Sequence, residues 1–253
     1  MDVNDNIGFV LLSLSGGSDQ ESERKTPLSL ISDKQSQSGR SVYLGGFVLA
    51  GGDSRRMGRP KAALLIDGET LLDRQIRLLR LVARRVAVVG GPPKSSKYFN
   101  VPLVPDLVTG RGPLAGIHTA LLETRREFNF VLGCDLPFVN RRLLEWLALR
   151  AIASGSDVTV PRSREGRLQP LCAVYRRRAL YAVRTSLAAG ENKPRSFFPK
   201  VRCIVISWQE LARAGFQPSI FGNLNTPEDY EDARKRIEGS SMISGTGFRH
   251  GSI

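Results

Sequence analysis

The residues Leu49-Ala50-Gly51-Gly52-Asp53-Ser54-Arg55-Arg56-Met57-Gly58-Arg59-Pro60-Lys61 combine two chemistries that a phosphate chain requires. Gly51 and Gly52 let the backbone turn tightly and bring its N–H groups close to an anion without interference from a Cβ. Ser54, Arg55, Arg56 and Lys61 add donors and positive charge. A triphosphate needs both directed donors and a neutralising field. We assign Arg56 and Lys61 to the phosphates, beside the backbone of Leu49, Ala50, Gly51 and Gly52. The spacing is neither GxxxxGK[ST] nor GxGxxG, which removes support from ATPase and dehydrogenase readings.

A second candidate is Asp135, which closes the apolar run Phe128–Cys134. A hard carboxylate there would meet the phosphates of a nucleotide, and magnesium takes few protein ligands, completing its shell with water and phosphate oxygens. Asn225 is either a second oxygen ligand, an orienting donor or a plain loop residue before the cap at Thr226. Asp106 reads from its position alone as a strand-terminal turn residue. Cys134 reads as a small buried apolar residue, with no cationic partner that would make it a nucleophile. The only histidines are His118, read as filler on a helix, and His250 in a polar tail, so chemistry built on a histidine base is not expected.

These residues need elements to hold them. Gly45–Ala50, Val86–Val89, Val101–Val104 and Phe128–Cys134 are short apolar runs that read as strands buried on both faces. Between them, Leu72, Ile76, Leu79 and Val82 share one helical face after Thr70, and a second helix opens at Pro113. Asn140 caps a third, with Leu143, Leu144, Leu147 and Ile152. Further strands are expected at 157–160, 170–175 and 201–207, and a last helix at Thr226-Pro227-Glu228-Asp229. The alternation predicts an α/β fold, a Rossmann-like three-layer sandwich with a mostly parallel sheet. Ligands in such sheets bind at the carboxyl ends of the strands, where the glycine-rich loop and Asp135 lie.

Residues 1–40 are rich in Ser, Gln, Asp and Gly, a composition expected to remain a disordered extension. The folded domain is expected over 41–238, followed by a flexible tail over 239–253. The three cysteines are far apart, with no CxxC pair, which argues against a disulfide framework or a zinc site. No run approaches the roughly 20 apolar residues of a membrane span, and Ile7–Leu14 follows acidic rather than basic residues, unlike an export signal. A cytoplasmic protein is expected. The net charge of +13 invites a nucleic-acid reading, but the arginines are dispersed and aromatics make up only 7%. We read the charge as mostly solvated surface, with some attraction for phosphate-rich small molecules.

Together the motifs resemble the MobA-type nucleotidyltransferases, specifically the molybdenum cofactor guanylyltransferases. The glycine-rich string matches their LAGGxSxRMGxxK signature, Gly112-Pro113-Leu114-Ala115-Gly116 their GPLAG element and Cys134-Asp135-Leu136-Pro137 their CDxP element. Residues 169–175 resemble their HPLxAxY-like strand, and Asn223–Asp229 their NxNTPEE/D element, all in family order. The resemblance implies a fold like the nucleotide-diphospho-sugar transferases and a magnesium ion on Asp135, with Asp106 contacting the nucleotide. It implies that GMP passes from GTP to the terminal phosphate of molybdopterin with release of pyrophosphate. A phosphate nucleophile is already ionised near neutral pH, so no general base is required, and catalysis reduces to positioning and neutralisation. It further implies handover to molybdoenzyme maturation proteins. Gly58-Arg59-Pro60-Lys61 departs toward the cytidylyltransferase sister family, and Gly90 stands where guanylyltransferases often carry Asn. The rival activities are therefore cytidylyl transfer to the same pterin or to a sugar or isoprenoid. From another class, the rival is a basic nucleic-acid-binding protein.

Overall fold

The computed structural model describes residues 44–51, 60–91, 101–108 and 110–245, with side chains in the last helix described as far as 239. Residues 1–43, Gly52, Arg56 and the segment 246–253 lie outside the described residues.

The chain enters through strand β1 (Gly45–Leu49). After the site loop, a small antiparallel hairpin forms from β2 (Leu65–Ile66) and β3 (Glu69–Thr70). Its turn is Asp67-Gly68, with φ of 52° and 74°, the left-handed pair that two-residue hairpins require. Helix α1 (Leu71–Arg80) starts where Thr70 Oγ1 accepts the N–H of Asp73 at 3.1 Å. Then come β4 (Arg85–Val89), β5 (Leu103–Val104) and α2 (Gly112–Glu123), the last with proline in its first turn. Strand β6 (Phe128–Gly133) leads to α3 (Arg141–Ser154), capped by Asn140 Oδ1 on Leu143 N at 3.0 Å and stopped by Gly155 at φ 58°. The rest is β7 (Val158–Pro161), β8 (Cys172–Arg176), α4 (Leu180–Ala188), β9 (Cys203–Ile206), α5 (Trp208–Arg213) and α6 (Pro227–Gly245). The last helix continues beyond residue 239, where a flexible tail was expected to begin.

Among the described residues, seven strands form one sheet in the order β5-β4-β1-β6-β8-β7-β9. β1 lies between β4 and β6 and is parallel to both. β8 runs antiparallel to both of its neighbours, which makes the sheet mostly parallel, as expected. Successive residues of β1 point to opposite faces and find an apolar layer on each. Val48 packs with Leu72, Ile76, Leu79, Leu143 and Leu147 from α1 and α3. Phe47 and Leu49 pack with Leu114, Ile117 and Leu121 of α2 and with Val183 of α4. Each fully buried aliphatic side chain contributes about 1.5–3 kcal/mol, which is why the strands are apolar on both faces. A third, smaller cluster (Leu64, Ile66, Leu71, Leu224 and Ala233) fastens the hairpin to α6.

Leaving β1, the chain moves outward through β4 and β5, then returns to β6 on the other side of β1. That reversal opens a crevice past the carboxyl ends of β1 and β6. Gly51 and Asp135 both stand there.

Candidate active site

Lys61 reaches the crevice from a short turn, where Ala63 N bonds Pro60 O at 3.0 Å and buried Ala62 anchors the segment. Its ammonium lies 3.4 Å from Asp135 Oδ2 and 3.2 Å from Asn225 Oδ1, groups 74 and 164 positions away in sequence. The Lys61 and Asp135 side chains are 21% and 26% exposed. That is too wet for a costly buried pair and too enclosed for a screened surface pair. Two oxygen acceptors from distant segments therefore converge on one positive charge.

The aspartate is held from several directions. At Gly133 a Cβ would come 2.8 Å from Asp135 Oδ1, so only glycine lets that carboxylate lie back over its own strand. Behind it, Cys134 N bonds Leu49 O (3.3 Å) and Gly133 N bonds Leu171 O (2.7 Å), tying the end of β6 to both neighbours. Asp135 O accepts Leu224 N (3.1 Å), Leu136 O accepts Gln75 Nε2 (2.8 Å) and Pro137 O accepts Arg74 Nε (2.9 Å). Asn225 is fixed in turn by Asp229, whose Oδ2 accepts both Asn225 N and Thr226 N at 2.9 Å. The same two backbone donors hold the Asp229 carboxyl below the usual aspartate value.

The other sequence candidates divide. The Leu49 side chain is buried against α2, where a Cβ on Gly116 would meet its Cδ1 at 2.9 Å, so Leu49 offers the crevice only backbone. Ala50 N is taken by Val89 O at 3.0 Å. Gly51 lies against Gly90, which has φ 72° and whose Cβ would come within 3.2 Å of the Gly51 Cα and N. Asp106 also stands past a carboxyl strand end, but its Oδ1 accepts Val108 N and Thr119 Oγ1, both at 3.3 Å, so it organises the turn into α2. Gly52 and Arg56 lie outside the described residues. Burial, then the Asp135 charge, pushes the Cys134 thiol up to about 12, so it stays protonated at neutral pH and is no nucleophile. Burial and then Arg184 lower the pKa of His118, which stands on α2 outside the Lys61 cluster.

Sequence reasoning missed Gln75, Arg74, Asp229 and Gly133 as parts of this site. For Gln75 the signal was available: it falls on the same helical face as Leu71, Leu72 and Leu79, where a polar residue is out of place.

Residues 46–203 match the MobA-like NTP transferase domain family. The chain belongs to that family. Within the MobA-like transferases, it is 37% identical over 195 residues to a probable molybdenum cofactor guanylyltransferase of Pelotomaculum thermopropionicum, covering 77% of this chain and 94% of the relative. It is 34% identical to the molybdenum cofactor guanylyltransferase of Desulfosudis oleivorans, covering 76% of this chain and 95% of the relative. The crystal structure of molybdopterin-guanine dinucleotide biosynthesis protein A from Archaeoglobus fulgidus superposes with a TM-score of 0.68 at 25% identity, over 77% of this chain and 99% of that one. The MobA-like domain spans the glycine-rich loop, Lys61 and Asp135, while Asn225 and Asp229 lie beyond the matched residues.

Proposed function

We propose that this protein transfers GMP from GTP to the terminal phosphate of molybdopterin, releasing pyrophosphate and forming the guanine dinucleotide cofactor. The observation that carries this reading is the convergence of Lys61, Asp135 and Asn225 past the ends of β1 and β6, in a MobA-like nucleotidyltransferase. Its relatives' names supply the substrates.

The donor set fits magnesium. Asp135 Oδ2 and Asn225 Oδ1 are hard oxygens that already face a common cation, and magnesium asks few such ligands of the protein. Asp135 would hold the ion, with Asn225 beside it; bound there, magnesium neutralises charge on the reacting and leaving phosphates. Lys61 provides a second positive group within reach of the triphosphate. The phosphates are assigned to the Gly51 backbone and, from the sequence alone, to Gly52 and Arg56, which lie outside the described residues. Asp106 keeps the turn beside the nucleotide in shape. The acceptor phosphate is ionised at neutral pH, so the chain needs no base, in agreement with a protonated Cys134 and a His118 placed elsewhere.

The folded unit closes with α6, which runs to Gly245, and residues 1–40 are not used in the chemistry. The unpaired thiols of Cys134, Cys172 and Cys203 suit a reducing cytoplasm, where molybdoenzyme maturation proteins would collect the product.

The test is to incubate the purified protein with labelled GTP or CTP, magnesium and molybdopterin, and to identify the conjugate by mass. The expected result is a guanine dinucleotide with one pyrophosphate released per transfer. A CMP conjugate, or no transfer at all, overturns the reading.

A further inference from the structure

Gln75 is fully buried on α1, in the apolar layer that holds Leu72, Ile76 and Leu79. Its Nε2 donates to Leu136 O at 2.8 Å, while its Oε1 is buried without a hydrogen-bond partner. A buried amide oxygen left unpaired is destabilising, and a fold selected for stability alone would place Leu or Met here. Nor does the turn after Asp135 depend on Gln75 to close, because Leu136 O also accepts Val139 N at 3.4 Å. What Gln75 adds is direction. It draws the carbonyl next to Asp135 toward α1, while Leu224 N and Arg74 Nε draw the carbonyls on either side. Three successive peptide planes are thereby fixed by groups from outside the turn.

We infer that Gln75 is a positioning residue for guanylyl transfer, acting through Leu136 to aim the Asp135 carboxylate at the metal and phosphates. The inference rests on the role proposed for Asp135. It accounts for the orphaned oxygen: the amide is retained for its N–H, and the helix tolerates the unused acceptor.

Gln75→Met keeps the volume and removes both the donor and the orphan. We expect a melting temperature equal to or above that of the wild type and a KM for GTP within about threefold. We expect kcat to fall about 10- to 100-fold, the scale of a small misplacement at a reacting centre. Half-maximal activity should require more magnesium. Mn2+ bound in the presence of a non-hydrolysable GTP analogue, followed by electron paramagnetic resonance, should be weaker in Gln75→Met, approaching the Asp135→Asn variant. That readout needs no acceptor. A wild type that transfers no GMP therefore refutes the function, whereas Gln75→Met binding Mn2+ like the wild type refutes this inference.

Gln75→Glu gives a second test. Its neutral carboxyl can donate to Leu136 O, but its ionised form cannot. Activity should therefore fall as pH rises, over a range where the wild type is flat. A Gln75→Met enzyme with wild-type rate and metal dependence, or one whose lost rate follows lost folding alone, overturns the proposal, and that result does not require Gln75→Glu to fold.

Discussion

Where β6 begins and β8 ends, Arg176 pairs with Glu127, bonds Gly155 O and lies over the Phe128 ring at 5.4 Å. Arg177 bonds Thr124 O, and Arg178 pairs with Asp157. Where β6 ends and β8 begins, Asp135 and Lys61 meet at 3.4 Å beside Asn225 and face a crevice. The arginine run at the first end is consumed in holding loops and carboxylates of its own chain. At the second end charge is kept within reach of a ligand, and the backbone around it is fixed instead. A net charge of +13 therefore need not signal nucleic acid, since several of the arginines that suggested it are partnered within the fold. On the proposed function, the division also separates roles, with stability resting on one end of the sheet and turnover on the other.

Asp135→Asn tests the division most severely. The change keeps the shape but removes the charge that a hard divalent ion prefers, so we expect turnover to fall about 10³-fold, the upper range for one electrostatic group. Recovery at high magnesium should be partial, and the melting temperature unchanged or higher. Steady-state rates and thermal melts across a magnesium titration check this; an unchanged rate would move the chemistry away from β6. Lys61→Ala should cost roughly 2–4 kcal/mol of transition-state stabilisation. Its stability should scarcely change, as kcat/KM measured beside a denaturant melt would reveal.

At the opposite end the pattern should invert. Asp157 is buried and accepts from Arg178 Nε and Arg202 N. Asp157→Ala should lower stability by about 1–3 kcal/mol while the rate per folded molecule stays at the wild-type level. A large loss of rate would show that the two ends are coupled.

A smaller effect concerns acid. The Asp229 carboxyl is held below its ordinary value of 3.8, so its clamp on Asn225 is complete above that pH and is lost as pH falls through the depressed value. The clamp's contribution to the magnesium requirement, read as the difference between wild type and Asp229→Asn, should therefore not change from neutrality to about pH 5. Asp229→Asn should raise that requirement at every pH. The smallest expected effect is that of a chain starting at Val42, which should fold and turn over like the full chain; lost solubility or rate would show that residues 1–40 pack on the domain.

Much of the fold was legible in the sequence because its signals are local. Asn140 caps the helix it was expected to cap, a helix follows Thr70 as expected, and the strand expected over Phe128–Cys134 runs Phe128–Gly133. The direction of β8 was not legible, because a five-residue apolar strand carries no mark of which way it runs. The Asp67-Gly68 hairpin was missed, because two-residue strands fall below any periodicity. The site divided on similar lines. Asp135, Lys61 and Asn225 stood out by residue type, and the structure brings them together. Asp106, which read as a turn residue from its position and gained a nucleotide contact only from the family resemblance, is bonded through Oδ1 to its own turn and to Thr119. Gln75 showed in the sequence only as a polar residue on an apolar helical face, while its partner, a carbonyl 61 positions away, falls in no window of sequence.

The reversed strand has a further consequence. Because β8 runs against β6 and β7, the segment 162–171 leaves and re-enters the sheet at the carboxyl end without a crossover helix. Its base is fastened by Ser163 N to Arg167 O and by Gly133 N to Leu171 O, while residues 164–167 stand exposed around Gly166 at φ 79°. Doubling the length of such a loop costs only about 0.6 kcal/mol in closure entropy. A descendant of this enzyme can therefore lengthen or exchange that loop without disturbing strand order, core or caps.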